Sequence, residues 1–319
     1  MDILLNIAAA AAIMLAVLSM FSNLGWIMKF RIIAVALAGI IITGLLAWHI
    51  AGQLDVKNIV IFPTLAKAVV LLVLAFITGF AAYFAAWPYG RQIAPVAVPL
   101  GLAVWALRSA DIASLMQKTA DAAAKYQVIN QFKWTAMLWL MPIAAGFGGI
   151  LLAELLLKGK PQIFPENNKK VSQLSGFTNI FTAIAASVLI ALFCIKMFAQ
   201  DVKFSDLKLG SVVAQPHPGQ IAFAVAVSFG IAAFVVKLFL KEGYLWPILA
   251  TAILPPLCIM FYAKPDTIEY MADNFPAVFF VHPSLAILPI HMVSFGTVGA
   301  ISGSWLAVVY KIWRTEQAL

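Results

Sequence analysis

Nine apolar runs of about 20–26 residues, separated by short polar connections, constrain this chain more than any other feature, because about 20 helical residues cross a hydrocarbon core of about 30 Å. The runs cover about 3–28, 32–52, 65–88, 94–114, 134–157, 177–200, 221–240, 244–263 and 285–310. Of the 319 residues, 63% are hydrophobic and 11% charged, against about 25% charged in a soluble domain. A soluble core could not enclose so much apolar surface, so lipid must solvate much of it. The fold class this predicts is all-α: a polytopic transmembrane helical bundle of about nine spans, forming a single integral membrane domain over 1–319.

The first run, "MDILLNIAAAAAIMLAVLSMF", carries Asp2 in place of the positive residues that open a cleaved signal peptide. It reads as a retained span with its N-terminus outside, followed by a short inner loop holding Lys29 and Arg31. The basic loop with Lys158, Lys160, Lys169 and Lys170, and the tail with Lys311 and Arg314, then fall on the cytoplasmic side of a plasma or inner membrane. The net charge of +8 is dispersed among such loops, so it implies headgroup contact and no nucleic-acid partner. Trp26, Trp48, Trp87, Trp105, Trp134, Trp246 and Trp313 sit near run ends, where indoles favour the interface; Trp139 and Trp305 sit deeper.

Between the fourth and fifth runs, the segment about 109–131 is amphipathic. Ile112, Leu115, Met116, Ala123, Tyr126 and Ile129 recur on one side, and Ser114, Lys118, Asp121 and Lys125 on the other. This predicts one interfacial helix lying on the bilayer, with docking of partner membrane subunits as its alternative role. Arg108 and Asp111, three residues apart, would share a helix face and could pair or bind substrate. Glu154, Lys196 and Lys237 lie near enough to run ends to reach the headgroups.

Carboxylates are missing from the middle of the runs, which argues against a proton pump or a carboxylate-lined cation exchanger. Cys194 and Cys258 lie in separate apolar runs, so neither a disulfide framework nor a CxxC site is expected, and no metal is predicted. The chain holds no Walker, GxSxG, HExxH or dinucleotide motif. All four histidines fall on one side in this topology. His49 and His291 could ligate a b-type haem if their helices were neighbours; otherwise no cofactor is implied.

Prolines and glycines carry more. Pro255 and Pro256 remove two backbone donors near the middle of the eighth run, so that helix should kink or break, as helices at transporter binding sites do. Gly39, Thr43 and Gly44 in the second run, and Pro142 with "AAGFGG" in the fifth, allow close helix contact. In the ninth run, Gly296, Gly299, Ala300 and Gly303 form a small-residue face. His291, Ser294, Ser302 and Trp305 gather on another, which leaves Ile290, Val293 and Ile301 toward lipid.

Three functions follow from these features. The first is a small-solute or lipid permease whose path uses His291, Ser294, Ser302, Pro255, Pro256, Arg108 and Asp111. The second is a non-catalytic subunit or scaffold of a membrane complex, and the third a haem- or quinone-binding redox protein. The permease leads, because a double-proline break and about nine packed spans exceed what an anchor needs.

Overall fold

The computed structural model describes residues 25–51, 64–109, 111–119, 121–157, 173–275 and 278–316. The first apolar run lies outside them except for its last residues. In chain order the helices are α1 (Trp26–Ala38), a π-helix (Gly39–Leu46), α2 (Ala47–Ala51), α3 (Leu65–Ala85), α4 (Gly90–Ile93), a 3-10 turn (Ala94–Val96), α5 (Ala97–Arg108) and α6 (Ile112–Gln117). They continue with α7 (Ala122–Leu157), α8 (Gln173–Phe198), α9 (Pro218–Phe239), α10 (Leu245–Tyr262), α11 (Pro265–Asn274), a 3-10 turn (Pro283–Ala286) and α12 (Pro289–Glu316). Three short strands, β1 (Lys203–Asp206), β2 (Gly210–Ala214) and β3 (Phe279–Phe280), complete the chain. Among the described residues, eight helical segments are long and apolar enough to cross a membrane, beginning with Trp26–Ile50 and ending with Pro289–Thr315. They match the second to ninth runs.

Several boundaries differ from the sequence reading. Lys29 and Arg31 lie inside α1, not in a loop, and Arg31 stacks 5.6 Å above the Tyr89 ring. The amphipathic segment is not one helix. Asp111 caps α6 by accepting from the Ser114 amide at 2.9 Å, the helix stops after Gln117, and the remainder is the start of the 36-residue α7. Arg108 ends α5 while Asp111 opens α6, so the two do not share a helix face. The eighth run does not break at its prolines: α10 is continuous through Pro255 and Pro256, both buried. Neighbouring turns hold the helix together, while the carbonyls of Thr251 and Ala252 lose the amide donors that residues four positions later would supply.

The chain divides into two units. The first holds α1 to α4, α5 as far as Leu107, and α7 from Pro142 onward. Glycines set its spacing. A Cβ on Gly39 would collide with the Ala97 carbonyl, one on Gly79 with that of Gly146, and one on Gly149 with that of Phe76. The π-helix sits at the tightest of these contacts and frees the Thr43 carbonyl, which accepts from Trp105 Nε1 at 2.8 Å. Trp105 is therefore fully buried and not an interfacial anchor. Thr78 Oγ1 donates to the Leu74 carbonyl (2.8 Å), so Thr43 Oγ1 must donate across to Thr78 Oγ1 at 2.7 Å. Glu154 meets Arg91 at 3.6 Å instead of simply reaching for headgroups.

The second unit is built on α8, α9, α10 and α12. Successive contacts Gly299 to Ala226 and Gly303 to Gly230 advance together along the chain, so α12 and α9 run parallel with their backbones almost touching. Helix α10 makes the single crossing between them. Across the end where α9 and α12 begin lies a feature the sequence reading missed, an antiparallel sheet ordered β1-β2-β3. Lys203 pairs with Val213, and Val213 with Phe280. The β1-β2 turn closes because Asp206 Oδ1 accepts from the Lys208 and Leu209 amides (2.8 and 2.6 Å) and Gly210 takes φ +74°. Helix α11 packs beside it, with the Tyr270 hydroxyl donating to Asp206 Oδ2 (3.1 Å) and Lys208 Nζ over the Tyr270 ring.

Two outcomes test this architecture. Gly303→Val should lower the unfolding free energy in detergent by about 1–3 kcal/mol, as overpacking does. Gly148→Ala should be neutral, since its Cβ would rest 3.6 Å from Phe76; thermal unfolding of the purified variants decides it. The Leu209 amide and its neighbours hold the Asp206 carboxyl below the usual carboxylate range. That contribution is present above the unfolded carboxylate's pKa and disappears as pH falls through the folded one, so amide exchange at Lys208 and Leu209 should accelerate in acid.

Candidate functional site

Helix α12 is the centre of the second unit. Every residue from Pro289 to Ile301 is buried, including Ile290, Val293 and Ile301, which the sequence pattern had turned toward lipid. Protein neighbours take the place that lipid would have along this stretch. Its glycine face lies against α9. Gly296, slightly further round, receives Phe229 of α9 and Thr251 of α10: a Cβ there would lie 2.7 Å from Thr251 Cγ2 and 2.9 Å from Phe229 Cδ2. At about 100° per residue, Thr297, Ala300 and Ser304 follow on the α10 side.

Those hydroxyls are unusual in this chain. Thr78, Thr135, Thr182, Ser187 and Thr315 each donate to the carbonyl four residues earlier, the ordinary way a helix satisfies a hydroxyl. Thr297 Oγ1 and Ser304 Oγ do not, and neither has a hydrogen-bond partner although both side chains are buried. His291 Nδ1 is in the same state, and Ser294 Oγ makes only a long 3.5 Å contact to the His291 carbonyl. Leaving a buried polar group unsatisfied costs about 1–3 kcal/mol. His291, Ser294, Thr297 and Ser304 form a stripe winding over about 20 Å of α12, at about 1.5 Å per residue. Ser228 Oγ of α9 and Gln215 Oε1 are also unpartnered, so all five such atoms among the described residues belong to this unit. Ser228 sits on the face of α9 away from the glycine contact.

The sequence candidates separate cleanly. Asp111 is brought close enough to His291 to interact electrostatically, whereas Arg108 lies exposed at the end of α5. Pro255 and Pro256 lie buried about one turn beyond Thr251 on α10. Ser302 is only half-buried and lies off it. The two histidines proposed for haem come from different units, His49 exposed and His291 buried. Thr297 and Ser304 were overlooked; their seven-residue spacing, two turns on one face, was the available signal.

A second buried cluster lies under the sheet. His282 stacks on Tyr262 (ring centroids 4.6 Å apart, planes 9° apart), and its Nδ1 accepts from the Ser284 hydroxyl (2.7 Å) and amide (3.2 Å). With Nδ1 occupied as an acceptor, the imidazole serves as a cap for the 3-10 turn that aims the chain into α12. Burial, aided by the charge of Lys196, pushes its pKa down to about 4.

A bundle of this kind is a multi-pass integral membrane protein, with eight described apolar helices as its spans. No family model matches the chain, and neither a curated protein nor a solved structure matches it.

Because His282 is held neutral, the unfolded chain takes up its proton first. Its contribution to stability should be complete above about pH 6.5 and fall away toward pH 4, by a few kcal/mol. Thermal midpoints measured against pH should show that decline, and His282→Gln should flatten it.

Proposed function

We propose that this protein is a permease for a small solute, whose path follows the polar stripe of α12 between α10 and the rest of the second unit. The observation that carries the reading is the set of buried, unpartnered groups on one helix: His291 Nδ1, Thr297 Oγ1 and Ser304 Oγ. A simple back-bond would satisfy the two hydroxyls, yet neither makes one. The Thr251 carbonyl, which loses its helical amide donor to Pro255, adds an acceptor on α10 near Gly296. The first unit offers a contrast, since its buried Thr43 and Thr78 are fully bonded within the bundle. It serves as the support.

A solute in the stripe would supply the missing partners and recover their desolvation cost, which is how a polar molecule can cross a hydrocarbon-thick barrier. The path lies inside the bundle, which favours a small solute over a lipid.

Reconstitution into lipid vesicles tests this. Vesicles containing the protein should pass at least one member of a panel of small solutes and ions faster than protein-free vesicles. Thr297→Val with Ser304→Ala should reduce that flux about tenfold, equivalent to about 1.4 kcal/mol. Thr78→Val should lower thermal stability and leave flux intact. Wild-type vesicles as tight as empty ones to the whole panel would end the permease reading.

A further inference from the structure

Resting on the permease reading, the chemistry of the stripe narrows the solute. Along α12 from Val293 to Tyr310 there is no charged side chain, and α9 and α10 carry none from Ile221 to Val236 or from Leu245 to Tyr262. What these faces offer is hydroxyls (Ser294, Thr297, Ser304), an imidazole (His291) and the carbonyls of Thr251 and Ala252, which Pro255 and Pro256 deprive of their helical amide donors. Charges occur only toward the ends. Asp111 lies near His291, and Lys237 and Lys311 sit at the opposite end, where Lys311 Nζ donates to the Lys237 carbonyl at 3.1 Å.

We propose that the solute is a small, uncharged molecule that both donates and accepts hydrogen bonds, of the polyol or amide type. An ion entering such surroundings would lose its hydration shell, and a few hydroxyls and two carbonyls on two helices do not form the ring of oxygens, or the counter-charge, that would replace it. A neutral polyol or amide loses only a few hydrogen bonds to water, and the stripe replaces them in kind. Thr297 and Ser304 can each donate once and accept, and the carbonyls of Thr251 and Ala252 accept. The same hydroxyls reject apolar solutes, which would leave them unpartnered. Both signs occur at the end where α12 begins, with Asp111 near His291 and Lys196 near His282, so no single sign is favoured along the path.

Stopped-flow light scattering on proteoliposomes, with glycerol and urea as probes, decides the matter when run beside sodium and chloride fluxes on the same vesicles. Glycerol or urea should enter about tenfold faster than into empty vesicles, with ion leakage unchanged. Thr297→Val and Ser304→Ala should each remove most of the gain, while Thr297→Ser keeps it; size-exclusion profiles identify any variant that has simply failed to fold. Sodium or chloride flux that depends on Thr297 and Ser304, with no entry of glycerol or urea, would overturn the uncharged class and leave the permease reading in place. Vesicles closed to every probe would overturn both.

Discussion

The second unit depends on one close approach, the parallel contact of α9 and α12 through Gly299 and Gly303. Each glycine lets the backbone of α12 meet a carbonyl of α9 where any side chain would collide. In lipid, association between helices gains little from the hydrophobic effect and relies on such tight backbone packing. Once α12 is fixed in this way, its rotation is fixed too. Thr297 and Ser304 then cannot turn toward α9, and the side of α12 facing α10 becomes polar. The polar face is thus a consequence of the glycine contact.

The two units solve the same problem differently. In the first, glycine contacts accompany complete hydrogen bonding: the π-helix exposes one carbonyl, and Trp105 covers it. In the second, equally tight glycine packing coexists with buried hydroxyls that no protein group satisfies. Similar spacing between helices therefore does not by itself decide whether the hydroxyls buried beside it find a partner.

Much of the fold was legible in the sequence because apolar length is a direct reading of bilayer thickness. The second to ninth runs are all helices, and the small-residue face of α12 was read from Gly296, Gly299, Ala300 and Gly303, of which Gly299 and Gly303 meet α9. The burial of Ile290, Val293 and Ile301 was not legible, since apolar side chains suit lipid and protein equally and only the packing arrangement decides between them. The continuity of α10 through Pro255 and Pro256 depends on its neighbours in the same way. The sheet was missed because its strands are only two to five residues long, although Asp206 and Gly210 around a three-residue turn were a usable sign. On α12 the sequence pattern grouped His291 and Ser294 with Ser302 and passed over Thr297 and Ser304. Their seven-residue spacing put those two on one face, but their lack of a hydrogen-bond partner shows only in the packed bundle.

The sheet also makes the second unit asymmetric. Strands β1 and β2 join α8 to α9, and β3 precedes α12, so two connections are laced together at one end. Gln215 Nε2 reinforces the lacing by donating to the Ala286 carbonyl at 2.9 Å, as does Gln220 Nε2 by donating to the Gln200 carbonyl at 3.0 Å. At the other end Lys311 of α12 donates to the Lys237 carbonyl of α9. Such a bundle behaves as a set of rods clamped at one tip. Small angular excursions pivot at the sheet and grow with distance from it, so the lysine end is where the helices separate first.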